Sequence, residues 1–500
     1  MAFSLSAKKE LGIVDKLSAS CDPGWQSHVV LPTRLLPQNT GCPMQVPDWS
    51  DLTARVTEST AFRKFILPGA AVATVLFGIN WLISPSEAEL VAEGRELFSH
   101  EWTVDDPLSG GGDGLGPVFN EKSCVACHFQ GGVGGGGGVA QNVNSFEVLP
   151  SEDRPQIEGG VVHASATDDT LVETEDTMRQ VYPIVPGGIR IIGGCSVKIE
   201  DFDPVIMTSI NTPALFGVGL IDEISSSSIK SNLRGRSLDR IAAEFNMEFD
   251  GAPVGRTRKF GLGRVGRFGW KGQFASLRDF VATACAVELG LTNRVRAQDD
   301  PQQHKPDGNA EYDMTSRQLD AVVAFCRNLP RPQQVLPTDR VERFKVENGE
   351  HLFKSVGCAD CHTPDLNGVE GIYSDFALYS LEPSSSGGYG RRELEFPIPS
   401  HHPEADEWQT PPLWGVADSA PYFHDGRART LEEAIARHEG QADDVTKRYN
   451  GLSEVDRADV VCFLKSLRAP MQAEQTNVTQ ELETEQQRAD AVRTARLADQ

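Results

Sequence analysis

Hydrophobic positions along the chain fall into one uninterrupted run and several periodic stretches. The run is FILPGAAVATVLFGINWLIS, residues 65–84, and about 20 apolar residues are enough to span a bilayer as a helix. Arg63 and Lys64 precede it, and Glu87 and Glu89 follow. That asymmetry predicts a membrane anchor or signal segment, with the N-terminal side in the cytoplasm and everything after residue 84 outside it. The competing readings are a buried core helix and a cleaved leader, for which SEA (86–88) is a poor cleavage site. Residues 1–64 are polar and aperiodic and read as an N-terminal extension. Helical periodicity appears in LDAVVAFCRNLP (319–330) and ADVVCFLKSLRAP (458–470). A turn at Asp425 and Gly426 precedes a short helix starting near Thr430 and Leu431. The β-branched stretch VYPIVPGGIRII predicts some strand. GGVGGGGG (131–138) reads as a flexible loop, LPRPQQVLP (329–337) as a linker, and the polar, charged residues 471–500 as a mobile tail with helical character.

Two short motifs give these elements a chemistry. CVACH lies at 124–128 and CADCH at 358–362. Each is C-x-x-C-H, the attachment signature of c-type haem. Two thiols one helical turn apart can add to the two vinyl groups of one porphyrin, and the next histidine then faces the iron as proximal ligand. A thioredoxin-like pair would not demand the histidine twice, and a zinc ribbon would need further ligands close by. The predicted attachment residues are therefore Cys124, Cys127, Cys358 and Cys361, with His128 and His362 on the two irons.

The motifs sit in two copies of a longer pattern. EGRELF (93–98) precedes the first and NGEHLF (348–353) the second; NTPALFGVGL (211–220) matches QTPPLWGVAD (409–418). FGWKGQFASL (268–277) matches YFHDGRARTL (422–431), and the two amphipathic helices close the units with Phe325 and Phe463 in register. The predicted fold is mainly α, with two cytochrome c-like haem domains at 89–330 and 340–470. The first carries a long loop and β insertion, residues 129–210.

Composition narrows the partners. Of 500 residues, 71 are acidic and 47 basic, a net charge of −24, which argues against nucleic-acid binding. Of ten cysteines, Cys21 and Cys42 precede the apolar run. Cys195, Cys285, Cys326 and Cys462 have no C-x-x-C spacing and read as disulfides or buried single cysteines.

A sixth ligand can be sought from the repeat. No methionine lies between Cys361 and Met471, so the usual Met ligand of a small cytochrome c is missing from the second unit. His438 lies in a short helix before the closing one, and the equivalent position of the first unit, fourteen residues after Trp270, is Ala284. The second iron would gain a histidine here and the first would gain nothing. The alternative is a surface histidine among Arg437, Glu439 and Gly440. His424 follows a turn and reads as a partner for a haem propionate or for backbone, and His401 and His402 are weaker competitors.

TPPLWGVADSAPYFHDGRARTLEEAIARH resembles the C-terminal haem segment of the bacterial dihaem cytochrome c peroxidase and MauG superfamily. GLGRVGRFGWKGQFASLRDFVATACAVELGLT (261–292) and GPVFNEKSCVACHFQGGVGGG (116–136) are similar to its dihaem oxidoreductase branch, often labelled thiol oxidoreductases. The resemblance covers roughly residues 89–470. It implies a C-terminal haem that receives electrons and an N-terminal haem that reacts. In the peroxidase relatives a methionine occupies the position of His438, so this sequence departs from them toward a bis-histidine iron of lower potential. The resemblance further implies a distal carboxylate, for which Glu288 is the nearest match, acting as general acid/base in O–O cleavage; a solvated helix-end carboxylate is the alternative. Trp270 matches a tryptophan relay between the haems, against a buried core tryptophan. His163 is a candidate switchable ligand of the first iron, against an open iron. One Ca²⁺ held partly by backbone carbonyls would fall at Ser419 and Pro421.

The resulting expectation is a dihaem c-type oxidoreductase, peroxidase-like, periplasmic or anchored to the cytoplasmic membrane with its haem domains outside. Its partners would be a small cytochrome or cupredoxin and a small-molecule substrate at the N-terminal haem. A pure electron carrier with two six-coordinate haems and a thiol oxidoreductase are the alternatives; the thiol reading lacks a base near any thiol to lower its pKa.

Overall fold

The computed structural model describes residues 86–150, 157–171, 175–192, 195–199, 201–245, 253, 255–298, 312–381 and 402–498. The apolar run at 65–84, the N-terminal extension and His401 lie outside them. Among the described residues no helix is long and apolar enough to cross a membrane. The fold is mainly helical. One compact unit takes in residues 87–185 and 203–500, and a second includes residues 186–202.

The larger unit begins with α1 (Glu87–Ser99), leading to the first motif through the Val125 N–H, which donates to the Phe98 carbonyl. A short β1 (Val118–Phe119) pairs antiparallel with β4 (Ser165–Ala166). Between them β2 (Val143–Val148) runs antiparallel to β3 (Glu158–Val162) and, on its other edge, to β7 (Val205–Ile210). Helix α2 (Glu175–Val181) covers this small sheet, with Met178, Val148 and Val205 buried together. In the second compact unit β5 (Gly188–Ile192) and β6 (Cys195–Ile199) form a hairpin.

Helices α3 (Val218–Glu223), α4 (Ser226–Phe245) and α5 (Leu277–Glu288) follow, then α6 (Ser316–Asn328), which starts at a capping box of Thr315 and Gln318. Its apolar face buries Leu319, Val322, Phe325 and Cys326. The second half opens with α7 (Arg340–Ser355), N-capped by Asp339. It continues through α8 (Leu431–Ala436) and α9 (Asp443–Asn450) to α10 (Glu454–Ser466), N-capped by Ser453.

The sequence repeat is a repeat of geometry. Gly94 of α1 lies so close to α6 that an added Cβ would sit 1.9 Å from the Ala321 carbonyl oxygen, and Gly349 of α7 stands at the same 1.9 Å from that of Asp459 in α10. A glycine at each crossing is what lets the helices approach. Phe98 packs on Phe325 at 5.1 Å, and Phe353 on Phe463 at 5.3 Å. Gly217 and Gly415 both have φ 75°. At the matched positions Gly269 and Phe423, φ is 79° and 71°. Only the second carries a side chain there, a local strain of the kind found beside functional residues.

Three segments are more fixed than expected. The glycine tract is buried, not loose: residues 132–138 are all inaccessible. The polar tail forms α11 (Asn477–Ala498) and docks on that tract. The Val133 N–H donates to the Glu474 carbonyl at 2.8 Å, the Gly131 N–H to Glu483 Oε1 at 2.9 Å, and Gln130 Nε2 to Gln486 Oε1 at 3.0 Å. Arg95 binds the Glu474 carboxylate, and Thr479 is fully buried. A Cβ at Gly132 would meet the Glu474 carbonyl at 2.8 Å, so the glycines serve close approach and not mobility. The linker is pinned as well, because β8 (Gln333–Gln334) pairs with β11 (Leu467–Arg468).

Candidate haem sites

Each C-x-x-C-H motif forms one tight turn. The His128 N–H donates to the Cys124 carbonyl and the His362 N–H to the Cys358 carbonyl, both at 3.0 Å. A phenylalanine from the preceding helix stands beside each ring, Phe98 at 6.0 Å from His128 and Phe353 at 6.3 Å from His362. His128 Nδ1 meets the Gly135 carbonyl at 3.0 Å, and His362 Nδ1 meets the Tyr373 carbonyl at 3.0 Å. A carbonyl on Nδ1 requires the proton there and puts the lone pair on Nε2, the tautomer a metal needs. Burial holds His128 neutral, down to about 4, against the hydrogen bonds to Gly135 and Pro213. Burial also pushes the Cys124, Cys127 and Cys358 thiols up, the last to about 12.

His438 lies two residues past the end of α8, just after its C-cap Arg437. The Thr430 hydroxyl caps that helix by accepting from the Glu433 N–H, and Leu431 and Ala434 are its buried face. His438 Nδ1 meets the Ala434 carbonyl at 2.8 Å, and burial lowers its pKa. Its ring faces that of His362, with centroids 6.4 Å apart and planes at 62°. Two imidazoles on opposite sides of one metal need about 2.0 Å per bond and about 1.1 Å from each nitrogen to its ring centre, about 6.2 Å in all. Phe423, the strained residue, packs 5.4 Å from His438.

Between the facing histidines lies a cavity of about 320 Å³, also lined by Cys358, Cys361, Phe353 and Leu464, a volume in the range of cofactor sites. Two thiols, two imidazoles in the metal-binding tautomer and an apolar wall fit a haem. Trp270 and Trp414 line the same cavity. The Trp270 indole N–H donates to the Asn211 carbonyl at 2.8 Å, which leaves the ring half-buried at the cavity wall.

Glu288 closes α5 beside the first motif. The carboxyls of Glu121 and Glu288 lie near enough to Cys127 to raise its pKa further, after burial. Glu288 Oε2 accepts from Asn120 Nδ2 at 2.6 Å, and Asn120 Oδ1 accepts the Ala164 N–H at 3.0 Å. His163 is buried in the turn between β3 and β4, with Nε2 2.9 Å from the Val287 carbonyl. The structure thus gathers Glu288, His163 and the unforeseen Asn120 and Glu121 at one end of α5. Glu121 stood in plain view three residues before Cys124, and its pKa is raised by burial. Ala284, the repeat-equivalent of His438, lies on α5.

At Ser419 and Pro421 the intervening Ala420 carbonyl accepts from Gln130 Nε2 at 2.5 Å. Gln130 Oε1 beside it is buried without a partner. No group of three or more His, Cys, Asp or Glu among the described residues is placed to hold a metal ion. Cys285, Cys326 and Cys462 are free thiols; burial raises all three, Cys285 to about 12, which disfavours the thiolate that redox chemistry needs. The side chain of Cys195 lies outside the described residues. His402 Nε2 pairs with Glu147 at 3.4 Å.

A repeated helix pair, each with a C-x-x-C-H motif and a half-buried histidine, fits a two-haem protein. A family model described as "Di-haem oxidoreductase, putative peroxidase" matches residues 195–467, more than half of the chain, and the chain belongs to that family of haem-dependent, peroxidase-like oxidoreductases. Cytochrome c551 peroxidase of Nitrosomonas europaea is 29% identical over 120 residues, 24% of this chain and 33% of the relative. Hydrazine synthase subunit gamma of Kuenenia stuttgartiensis is 27% identical over 143 residues, 24% of this chain and 40% of the relative. The chain therefore spans only a third to two-fifths of the curated relatives it matches. Among solved structures, Kuenenia stuttgartiensis hydrazine synthase aligns at 16% identity with TM-score 0.34, over 77% of this chain and 89% of its own. A diheme peroxidase from Burkholderia thailandensis aligns at 15% identity with TM-score 0.32, over 77% and 86%.

Proposed function

We propose that this chain carries two covalently attached haems c in two cytochrome c-like domains. The attachment residues are Cys124, Cys127, Cys358 and Cys361. Electrons from a small cytochrome or cupredoxin enter at the second haem and are used at the first on a peroxide-like substrate. The observation that carries the reading is an asymmetry. His438 faces His362 at a separation suited to one shared metal, whereas the repeat-equivalent position of the first half is Ala284. A site closed by two protein ligands suits electron transfer, and one with a single histidine leaves room for substrate. Bound haem supplies the one-electron redox chemistry.

The residues divide the remaining tasks. Glu288, fixed by Asn120, is positioned to take or give a proton near the first site. Trp270, tethered to Asn211, lines the way between the sites as a relay. His163, engaged with Val287, holds the end of α5 and so supports Glu288. A Ca²⁺ would draw on the Ser419 and Pro421 carbonyls and Gln130 Oε1, hard oxygen donors of the kind it prefers. Attachment at C-x-x-C-H motifs and the charge asymmetry around 65–84 support a location outside the cytoplasmic membrane. Stopped-flow mixing of the half-reduced protein with hydrogen peroxide tests the proposal. A high-spin first haem that reacts is the expected result. Two low-spin haems indifferent to peroxide in every redox state would overturn it in favour of a pure electron carrier.

A further inference from the structure

Trp408, in β10 (Glu407–Gln409) paired with β9 (Leu378–Ser380), was not singled out by any motif. Its indole is 7% exposed and lines the cavity that also holds Cys358, Cys361, His362 and His438. The His424 ring stacks on it with centroids 3.3 Å apart and planes at 7°. Lys271 Nζ lies 4.3 Å from the ring centre, held by the Glu404 and Ala405 carbonyls at 2.7 and 2.8 Å. The ring is thus fixed by a stack and a cation. Its one polar atom, Nε1, is nevertheless buried without a hydrogen-bond partner. Native proteins seldom leave such a donor unmet unless a ligand completes it.

The surroundings specify that ligand. Lys271 is buried, and the Arg427 guanidinium approaches the His424 ring at 3.4 Å. Burial, then Arg427 and Lys271, push His424 down to about 3, so the imidazole adds no charge of its own. The indole N–H needs an acceptor on the cavity side; Lys271, which also faces Glu147, Asp406 and Glu407, and Arg427, one stacked ring further out and paired with Asp425, supply cationic counter-charge for an anionic one. A haem seated on His362 brings two carboxylates into that cavity.

We propose that Trp408 is a carboxylate anchor: its indole N–H donates to a propionate oxygen of the second haem, with Lys271 and Arg427 neutralising the charge. The proposal rests on haem attachment at Cys358 and Cys361, which the intact mass of each protein reports separately. Trp408→Phe keeps an aromatic ring for the stack and removes the donor. With both haems still bound, the midpoint potential of the second haem should fall, because a less neutralised propionate favours ferric iron, while that of the first haem stays put. An unchanged second potential would overturn the assignment. The other source of a carboxylate is a free organic acid, for which succinate is the probe. If succinate shifts the wild-type potential saturably and leaves the variant unmoved, the ligand is a free acid and the propionate assignment falls. Should the variant fail to fold or load haem, wild-type holoprotein supplies the test. The propionate bending band in resonance Raman should move when the indole N–H is exchanged for N–D, and a stationary band refutes the bond.

Discussion

Removing or exchanging the ring of His438 probes the proposed division of labour most directly. The ring centres of His362 and His438 stand 6.4 Å apart, against about 6.2 Å for two imidazoles on one metal. The difference of about 0.2 Å is small enough for side-chain adjustment alone. His438→Ala removes the ring that faces His362 at that separation, and the Ala434 carbonyl keeps the Arg437 N–H as its donor. The second haem should turn from low-spin to high-spin and bind added cyanide or imidazole, with the first haem unchanged. His438→Met offers a thioether instead, which favours ferrous iron. Each tenfold change in ferrous over ferric preference moves a one-electron potential by about 59 mV, so a rise on the order of 100 mV corresponds to a preference of roughly fiftyfold. Electron paramagnetic resonance reads the spin states, and spectroelectrochemistry the potentials. If His438→Ala leaves the second haem low-spin at its original potential, another side chain is the ligand and the asymmetry between the sites disappears.

Three further outcomes follow from the packing. Gly94→Ala and Gly349→Ala each place a Cβ 1.9 Å from a carbonyl oxygen, where ordinary contact begins at 3.4 Å; the helices must part, and urea unfolding should show losses of about 3 kcal/mol for each. Removing residues 474–500 strips the acceptors from the Val133 and Gly131 N–H groups, so amide exchange across 131–135 should accelerate markedly, whereas exchange in α7 and α10 should not change. Asp313 is 1% exposed, and burial lifts its pKa to about 6, above the free value of 3.8, with Asp113 adding to the rise. A carboxyl whose folded pKa is raised favours folding at low pH and loses that contribution as pH climbs through the folded value, here by up to about 3 kcal/mol between pH 4 and 7. The wild-type urea midpoint should therefore fall relative to that of Asp313→Asn over this window, and parallel curves would exclude the effect.

Much of the candidate site was legible because its chemistry is local. Cys124 to His128 and Cys358 to His362 are single turns whose spacing alone dictates geometry, and the 3.6-residue period of 319–328 places Phe325 on Phe98 without further help. The glycines before each motif also carried information, since Gly94 and Gly349 recur at matched positions and prove to be helix crossings. What stayed hidden depends on partners distant in sequence. Residues 131–138 have the composition of a flexible loop, and nothing local shows that residues 474–486 will cover them. The same distance hid the tail, whose polar residues bind backbone groups more than 300 positions away and leave only a weak apolar stripe. Asn120 aligns Glu288 across 168 residues, and the unmet donor of Trp408 becomes visible only once its neighbours are in place.

The docked tail also bears on whether the halves can live apart. Cutting the chain in the 329–337 segment would separate the two copies of the pattern. The first would leave behind the residues that satisfy its own loop: the Glu474 carbonyl, the Glu483 carboxylate and the Gln486 amide are all encoded after the second half. Since the Gly135 carbonyl in that loop is the hydrogen-bond acceptor of His128, the isolated first half would lack the backing of its own motif histidine. The second half leans on the first in turn: the Gln409 N–H donates to the Trp270 carbonyl and the Leu378 N–H to the Arg256 carbonyl, and Leu366, Ile372, Phe376 and Trp414 are buried in the first half's core. The two copies of the pattern are thus interlocked, and a first-half fragment lacking the far end of the chain would need residues 474–486 supplied as a separate peptide.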